Sequence, residues 1–545
     1  MNWFWKGILL ISLSPVPVFW VLELRASAQH PAFSVVEATI ADMQTAMQQG
    51  RITSRGIVQQ YLDRIAKYED GLNAIITLNA RALQEADERD RERARGEVRG
   101  PLHGIPIALK DNIHTTDMPT TGGALVFKDF VPPYEATITK QLRDSGAIIL
   151  AKTNMTELAN WVASGMPGNY NALVGYGLNP YDPRRDPRPG LQDGRPALTP
   201  GGSSSGAGTA ASFWAANVGT ETSGSILTPA NMTMLVGIKP TVGRVSRYGI
   251  IPITADQDTA GPLARTVADA AVMLGALEGR AADPHDPATN TCPRVAGYTP
   301  FLNARGLAGA RIGVPRAVFY DEARHGAVMS AAIAVLRQQG ATIVDPADVP
   351  NQPLPPVCSG AGNAKGHDQD CSSVFKYGMK RDFNTWLASL GPSAPVKTLT
   401  ELRQWNLAHQ AEGSIKYGQA QLDISDEIDL QSDRARYAAD RERDERLAGP
   451  DGIDAVMKRD RLDGLLFAGP AGAALAAKAG YPTVSVPFGL APAAPVPPFP
   501  DGFDPKPAPL GISFTGMACS EPRLIELAYA FEQATKRRIP PPGFQ

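Results

Sequence analysis

Serine and glycine are concentrated in two short runs that could supply a nucleophile and an oxyanion site. The first run, residues 201–206, reads Gly-Gly-Ser-Ser-Ser-Gly, and the second, residues 219–226, reads Gly-Thr-Glu-Thr-Ser-Gly-Ser-Ile. Because bulky side chains are rare in both runs, backbone N–H groups and hydroxyls could lie close to a reacting carbonyl. A serine hydroxyl alone is a weak nucleophile, so the sequence must also provide a base.

Lys110 is the strongest candidate for this base. It follows the apolar residues 105–109, which predict a buried strand. Burial disfavours the charged form of a lysine, lowers its pKa and makes a neutral amine available to accept a proton. The residues leave open an alternative, in which Lys110 is paired with Asp111 at the rim of the sheet. His103 and His114 flank this lysine, but a lone histidine in such a place is more often structural than catalytic.

Two other interpretations compete for the first serine run. Residues 202–206 fit the G-x-S-x-G nucleophile elbow, with Ser204 as the nucleophile. That elbow must follow a strand, whereas this one follows a loop. Taken alone, the run also fits a flexible Gly/Ser linker. The sequence contains no phosphate-binding loop, dinucleotide fingerprint or zinc-type Cys/His cluster, and we expect no bound metal or cofactor.

Several blocks in a fixed order resemble the amidase signature family. The resemblance covers about residues 35–541. It implies an α/β fold in which helices cover both faces of a central mixed β-sheet, and an enzyme that hydrolyses linear amides. The blocks are residues 104–110, 151–154 with 157–159, 201–206, 219–226, 237–241 and 258–262.

The same resemblance implies roles for individual residues. Ser225 would be the nucleophile that forms the acyl-enzyme, and Lys110 would be the terminal base. Ser203 would bridge them, held by a cis peptide as in relatives. The oxyanion hole would be formed by the backbone N–H groups of Thr222, Ser223 and Gly224.

The chain departs from the family pattern at three positions. Ser203 and Ser225 are 22 residues apart, slightly fewer than the family leads us to expect. Either the helix between the two serines is shorter than in relatives, or the assignment of Ser203 as the bridging serine is weaker than that of Ser225 as the nucleophile. Ser223 stands where relatives often carry Gly or Asp, and Leu227 replaces a common arginine, which would alter polarity beside the oxyanion hole.

The substrate is predicted only as a class. Trp161 and residues 179–181 and 245–252 look most like the bacterial peptide amidase and aryl acylamidase branch. We therefore expect a small amide, such as a peptide amide or an aryl acylamide. The predicted substrate-binding residues are Met155, Trp161 and Ser204, although ordinary core packing explains the first two equally well.

The N-terminus differs in composition from the rest of the chain. Lys6 precedes an apolar run, residues 7–22, and Ala26-Ser27-Ala28 follows. This order is typical of a secretory signal peptide, with cleavage after Ala28. We expect residues 1–28 to be removed, the enzyme to be periplasmic or secreted, and no membrane span to remain. An uncleaved membrane anchor is the alternative.

The chain has four cysteines, which an exported protein can keep as disulfides. Cys358 and Cys371 bracket a polar, glycine-rich stretch, so a local bridge could close this loop. Two free thiols on a flexible insertion are the alternative. Nothing in the sequence places Cys292 beside Cys519.

Short apolar runs alternate with helical stretches along the 545 residues, which predicts an α/β fold. We expect residues 29–100 to form an N-terminal helical segment packed on the core. Residues 101–545 would form the catalytic domain, with surface insertions near 180–200, 350–372 and 490–509. The predicted strands are residues 105–109, 147–150, 311–314, 341–344, 464–467 and 484–486.

The net charge of −2 gives no reason to expect a nucleic-acid partner. Three functions remain open. The first is an exported amidase, acting as a monomer or homodimer on a small amide. The second is an amidotransferase subunit that works with partner proteins. The third is a catalytically silent binding protein on the same fold.

Overall fold

The computed structural model describes residues 33–493 and 495–545. The predicted signal peptide, residues 1–28, lies outside the described residues. Within the described ranges, no helix is both long enough and apolar enough to cross a membrane.

One mixed sheet of eleven strands crosses the molecule, and two short strands form a separate hairpin. The strands are β1 (Ile75–Leu78), β2 (Pro106–Lys110), β3 (Ile148–Thr153), β4 (Tyr170–Asn171), β5 (Gly175–Tyr176), β6 (Ala216–Glu221), β7 (Val236–Lys239), β8 (Thr259–Ala264), β9 (Arg311–Gly313), β10 (Thr342–Val344), β11 (Gly464–Ala468), β12 (Thr483–Ala491) and β13 (Ala508–Thr515). Their order in the large sheet is β1-β3-β2-β6-β8-β7-β12-β13-β11-β9-β10.

Helices flank this sheet. They are α1 (Ile40–Gln48), α2 (Ser54–Tyr68), α3 (Ala82–Ala94), α4 (Thr137–Asp144), α5 (Ala207–Ala210), α6 (Leu227–Met232), α7 (Val267–Glu278), α8 (Glu322–Gln338), α9 (Val374–Gly378), α10 (Asn384–Ser389), α11 (Leu399–Ala408), α12 (Ala420–Asp426), α13 (Arg434–Ala448), α14 (Asp454–Asp460), α15 (Ala473–Ala479) and α16 (Glu521–Thr535). Two π-helical turns, Met379–Phe383 and Gly449–Ile453, join α9 to α10 and α13 to α14. The predicted α/β fold with a central mixed sheet between helices is therefore confirmed.

All six predicted strands are present, as β2, β3, β9, β10, β11 and β12. The segment predicted as helical before residue 100 contains α1, α2 and α3, and also β1, which pairs antiparallel with β3 at the edge of the sheet. The predicted loop at 490–509 was too long. Both ends of that stretch continue into the ladder between β12 and β13, where Leu490 lies opposite Pro509.

The predicted bridge between Cys358 and Cys371 is present, with its sulfurs 2.02 Å apart. A second disulfide joins Cys292 to Cys519 across 227 residues. No local pattern indicated this second pairing, because its two cysteines meet only when the segment before α16 packs against the region that follows α7.

Candidate active site

The order of the strands brings the predicted base beside the second serine run. β2 and β6 are parallel neighbours, with Leu109 opposite Val218. Because parallel strands end at the same edge of a sheet, Lys110 at the end of β2 lies close to Thr220 near the end of β6. Every residue of both strands is buried, so the lysine side chain enters the interior of the protein.

The amine of Lys110 is held by three short contacts. Its Nζ donates to Ser203 Oγ at 2.7 Å, to Thr220 Oγ1 at 2.8 Å and to the Thr220 carbonyl at 3.2 Å. The alternative of an ion pair with Asp111 is wrong, because that carboxylate pairs with Lys152 Nζ at 3.0 Å. Lys110 therefore faces the serine, and no carboxylate of the described residues forms an ion pair with it.

Burial lowers the pKa of Lys110 to about 7, and the negative charges of Asp258 and Glu221 oppose this shift. An ordinary lysine keeps its proton at neutral pH. Since its pKa lies close to neutrality, a large share of Lys110 carries no charge there and can accept a proton.

The two neighbouring histidines have structural contacts. His103 lies within 3.0 Å of the Arg89 carbonyl through Nε2, and the His114 ring accepts a hydrogen bond of 2.9 Å from Trp386. Burial lowers the pKa of His114 to about 3. Neither ring contacts Lys110 or the serine runs through a hydrogen bond in the described part of the chain.

Glu221 fixes the start of α6. Its Oε2 accepts hydrogen bonds from the N–H groups of Ile226 and Leu227, at 2.8 and 3.0 Å. A carboxylate at a helix N-terminus satisfies the free amides of the first turn. The chain between β6 and α6 is thereby drawn into a tight turn over residues 222–226.

This turn presents unpaired backbone donors beside Ser225. The N–H groups of Thr222, Ser223, Gly224 and Ser225 make no hydrogen bond within the described residues, so the three predicted oxyanion donors, residues 222–224, are unpaired. Gly224 has φ +87°, a conformation that glycine adopts without strain. Ser223 is exposed and Ser225 half-buried, so the turn is accessible to a ligand. Free amides in such a place can stabilise an oxyanion.

Asp258 anchors the other side of the same turn. Its Oδ1 accepts a hydrogen bond of 2.5 Å from Thr222 Oγ1. Its Oδ2 accepts from the N–H groups of Ile253 and Thr254, at 2.9 and 3.0 Å. Burial raises the pKa of Asp258 to about 7, against the effect of the Thr222 hydrogen bond.

The structure brings the two serine runs into contact. The Ser204 N–H donates to the Ser225 carbonyl at 3.2 Å. The hydroxyls of Ser203 and Ser225 make no hydrogen bond to each other among the described residues. The cis peptide expected at Ser203 is absent, since the three cis peptides of the described chain all precede proline. The chain instead turns through Gly201 and Gly202, whose φ values are +82° and +47°.

The three predicted substrate-binding residues lie near the site but are packed against protein. Ser204 Oγ is fully buried and exchanges hydrogen bonds with the backbone of Thr220, at 3.1 and 3.2 Å. Met155 is fully buried and pairs with Ser204 through its backbone. Trp161 donates to Ser425 Oγ at 2.9 Å within a second hydrophobic cluster.

A cavity of about 330 Å³ adjoins the Lys110 side of the site. Thr220, Thr222 and Asp258 form its inner wall. The rings of Tyr134 and Tyr248, stacked at 4.9 Å, lie on another wall. Sequence reasoning missed Asp258 as a site residue, although it opens the block at 258–262. Its lining combines apolar and aromatic side chains with about as many polar and charged ones, and a concave cavity of this size suits a small molecule.

The fold is thus an α/β fold in which a buried lysine and two serine runs meet where β2 and β6 end. The amidase family model matches residues 56–428, which is more than half of the chain. This protein therefore belongs to the amidase family, as the sequence blocks predicted.

Individual relatives agree with this assignment. A probable amidase of Arabidopsis thaliana is 33% identical over 98% of this chain and 97% of its own length. The solved peptide amidase of Stenotrophomonas maltophilia is 39% identical, with a TM-score of 0.79 over 93% of this chain and 98% of its own. One subunit of the glutamyl-tRNA(Gln) amidotransferase of a Synechococcus strain is 30% identical over 91% of this chain and 96% of its own.

Proposed function

We propose that this protein is an exported amidase that hydrolyses a small carboxylic amide through an acyl-enzyme on Ser225. Lys110 and Ser203 relay the proton. The observation that carries the proposal is the 2.7 Å hydrogen bond between Lys110 Nζ and Ser203 Oγ, fully buried beside the Ser225 turn.

The first half of the reaction forms the acyl-enzyme. Neutral Lys110 takes the proton of Ser203, and Ser203 takes the proton of Ser225 as the Ser225 oxygen attacks the amide carbonyl. The oxyanion receives hydrogen bonds from the free N–H groups of Thr222, Ser223 and Gly224. When the C–N bond breaks, the proton returns through Ser203 to the leaving amine.

The second half releases the acid. Water attacks the Ser225 ester and gives its proton to Ser203 and Lys110, and Ser225 recovers a proton as its bond to the acyl carbon breaks. The relay requires contact between the Ser203 and Ser225 hydroxyls. Hydrogen bonds between catalytic groups often tighten only when substrate binds.

A peptide amide or an aryl acylamide is the substrate class that we propose. The similarity to a solved peptide amidase supports the first, and the aromatic wall of the cavity, Tyr134 and Tyr248, suits the aryl group of the second. A panel of peptide amides, fatty amides and anilides, with release of ammonia or arylamine as the readout, ranks these classes.

Three variants test the catalytic assignment. Ser225→Ala should lower kcat by about 10⁴-fold or more, and Lys110→Ala should also lose most activity while the fold survives. Ser432→Ala changes an exposed serine outside the site and should keep the wild-type rate. Wild-type kcat in Ser225→Ala, or near wild-type rates in Lys110→Ala across neutral pH, would refute the mechanism.

An amidotransferase subunit is the second candidate, supported by the 30% identity to such a subunit. That function requires partner proteins, so purified protein alone would release no ammonia from small amides. A catalytically silent binding protein would also show no turnover, with or without partners. Turnover by the isolated chain that depends on Ser225 rules out both.

Export is supported by the cysteines. The two disulfides together use all four cysteines of the chain, which is typical of an oxidising compartment. N-terminal sequencing of the protein from the periplasm or medium should begin at Gln29. Retention in the cytosol with residues 1–28 intact would contradict export.

A further inference from the structure

Two buried side chains from one distant segment hold the backbone that leads into Ser203. Asn169 Nδ2 donates to the carbonyls of Gly201 and Gly202, at 3.0 and 3.1 Å. Thr156 Oγ1 donates to the Gly202 carbonyl at 3.0 Å, and the Thr156 N–H donates to the Ser203 carbonyl at 3.2 Å. Three consecutive carbonyls are therefore bound by two residues.

Thr156 and Asn169 are also bonded to each other. The Asn169 N–H donates to Thr156 Oγ1 at 2.7 Å, so this hydroxyl accepts one hydrogen bond and donates another. Both side chains are fully buried. Gly168 lets the two segments approach, because a Cβ there would lie 3.3 Å from the Gly202 carbonyl oxygen. Thr156 and Asn169 therefore form one hydrogen-bonded unit that holds the backbone before Ser203.

The backbone before Ser203 needs such a support. Gly201 and Gly202 both occupy the left-handed region, and glycine moves between conformations at little cost. The proton relay requires Ser203 Oγ to stay within hydrogen-bond distance of Lys110 Nζ. A displacement of about one ångström at a catalytic group can cost about 100-fold in rate.

We propose that Thr156 and Asn169 are positioning residues, which fix the Gly201 and Gly202 carbonyls and thereby place Ser203 Oγ against Lys110. The inference rests on the proposed function, since it concerns the relay. Neither side chain contacts the Lys110 amine or the Ser225 hydroxyl through a hydrogen bond in the described chain. Their effect on the reaction therefore passes through Ser203.

The test compares hydroxyl removal at two buried threonines. Thr156→Val keeps the shape of the side chain but removes the hydroxyl, and kcat should fall by about 10- to 100-fold with KM unchanged. Thr139→Val is the matched control, because Thr139 is equally buried and donates to the His114 carbonyl at 2.8 Å. Both variants should show a similar fall in melting temperature, and only Thr156→Val should lose kcat.

Two further variants separate positioning from general damage. Thr156→Ser restores the hydroxyl and should recover most of kcat. Asn169→Gly removes the carboxamide while glycine tolerates the φ of +61°, and it should lower kcat as Thr156→Val does. Ser203→Ala gives the lowest kcat expected, because it removes the relay altogether.

The outcomes distinguish the two proposals. If Ser203→Ala keeps wild-type activity, the relay itself is wrong. If Ser203→Ala loses activity but Thr156→Val and Asn169→Gly keep wild-type kcat, the relay stands and the positioning role is overturned. Equal kcat losses in Thr156→Val and Thr139→Val, or no recovery in Thr156→Ser, would also overturn it.

Discussion

The chemistry of Lys110 depends on burial. Its amine touches two hydroxyls and one carbonyl, and no carboxylate lies within ion-pair distance in the described chain. Burial lowers the pKa of both Lys110 and Lys152, but Lys152 also pairs with Asp111, whose negative charge opposes the shift. The two lysines lie at the ends of adjacent strands, and the different partners agree with the proposed role of Lys110 as the base and a structural role for Lys152.

The pKa of Lys110, lowered by burial to about 7, fixes the sign of the pH dependence. Only the neutral amine accepts a proton, so activity should rise with pH through this value. We expect kcat/KM to fall about tenfold per unit on the acid side, measured with an uncharged amide. A profile without an acid limb would contradict Lys110 as the base.

Asp258 should control the position of this limb. Burial lowers the pKa of Lys110, and the negative charges of Asp258 and Glu221 raise it. The pKa of Asp258 is in turn raised to about 7 by burial, raised by Asp382 and lowered by Arg247. Asp258 therefore carries only part of its negative charge on the acid limb. Asp258→Asn removes that charge, so the acid limb should move to lower pH by less than about one unit. The maximal rate should fall too, since a single carboxamide oxygen replaces the two carboxylate oxygens that anchor the turn.

A buried aspartate elsewhere provides the comparison for that variant. Asp269 is also buried, and its carboxylate accepts a hydrogen bond from the Ile40 N–H in the N-terminal segment. Asp269→Asn should leave the acid limb in place whatever its effect on stability. An unmoved limb in Asp258→Asn, or movement to higher pH, would show that Asp258 does not act on the base.

Only part of the site could be predicted from sequence. Lys110, Ser203 and Ser225 lie in recognisable blocks, and the structure brings the first two into contact. The sequence did not indicate a role for Thr156 or Asn169 in placing Ser203, because their contacts with Gly202 span 46 and 33 residues and depend on how loops meet outside the sheet. Residue type alone does not distinguish them from other buried polar side chains.

At the scale of elements, composition explains why β6 and β8 were missed, but not why β1 was, since β1 reads Ile-Ile-Thr-Leu. The six that were found in sequence are runs of apolar residues, whereas β6 reads Ala-Asn-Val-Gly-Thr-Glu and β8 reads Thr-Ala-Gly-Pro-Leu-Ala. Small and polar residues have low strand propensity. These strands are buried inside the sheet, where close packing matters more than propensity.

Two surface loops are joined by stacked cations. Arg184 lies 4.3 Å from the ring centroid of Phe503, and Arg188 lies 5.0 Å from that of Phe499. Arg188 also donates to the Pro497 carbonyl at 2.9 Å. The loop at 180–200 thus packs against the proline-rich loop that joins β12 to β13 and restrains it.

Loss of this contact should expose the proline-rich loop to proteases. Arg188→Ala removes both the cation–π contact and the hydrogen bond to the Pro497 carbonyl, which cost about 1 kcal/mol each, so nicking should be roughly thirty-fold faster when opening is rapid. We expect cleavage near Val496, located by mass spectrometry. Arg185→Ala is the control, because Arg185 bonds within its own loop to Gly194. Equal rates in both variants would show that the stacked cations do not hold the loop.

At the scale of the whole molecule, buried charges join distant parts of the chain. Arg244 pairs with Glu278 at 3.0 Å and with Glu521 at 2.9 Å, all three being buried. Glu521 also accepts a hydrogen bond of 2.7 Å from the Thr241 N–H. This network connects the end of β7 to α7 and α16, and breaking one partner would leave a buried charge uncompensated.

The disulfide between Cys292 and Cys519 reinforces the same junction. It closes a loop of 227 residues, whereas the bridge between Cys358 and Cys371 closes one of 13. Chain-entropy arguments assign about 5 kcal/mol to the long loop and about 3 kcal/mol to the short one. The double variant Cys292→Ser/Cys519→Ser should therefore lower the melting temperature more than Cys358→Ser/Cys371→Ser, measured without reductant. The reverse order would show that local loop closure, and not the joining of distant elements, dominates the stability of this enzyme.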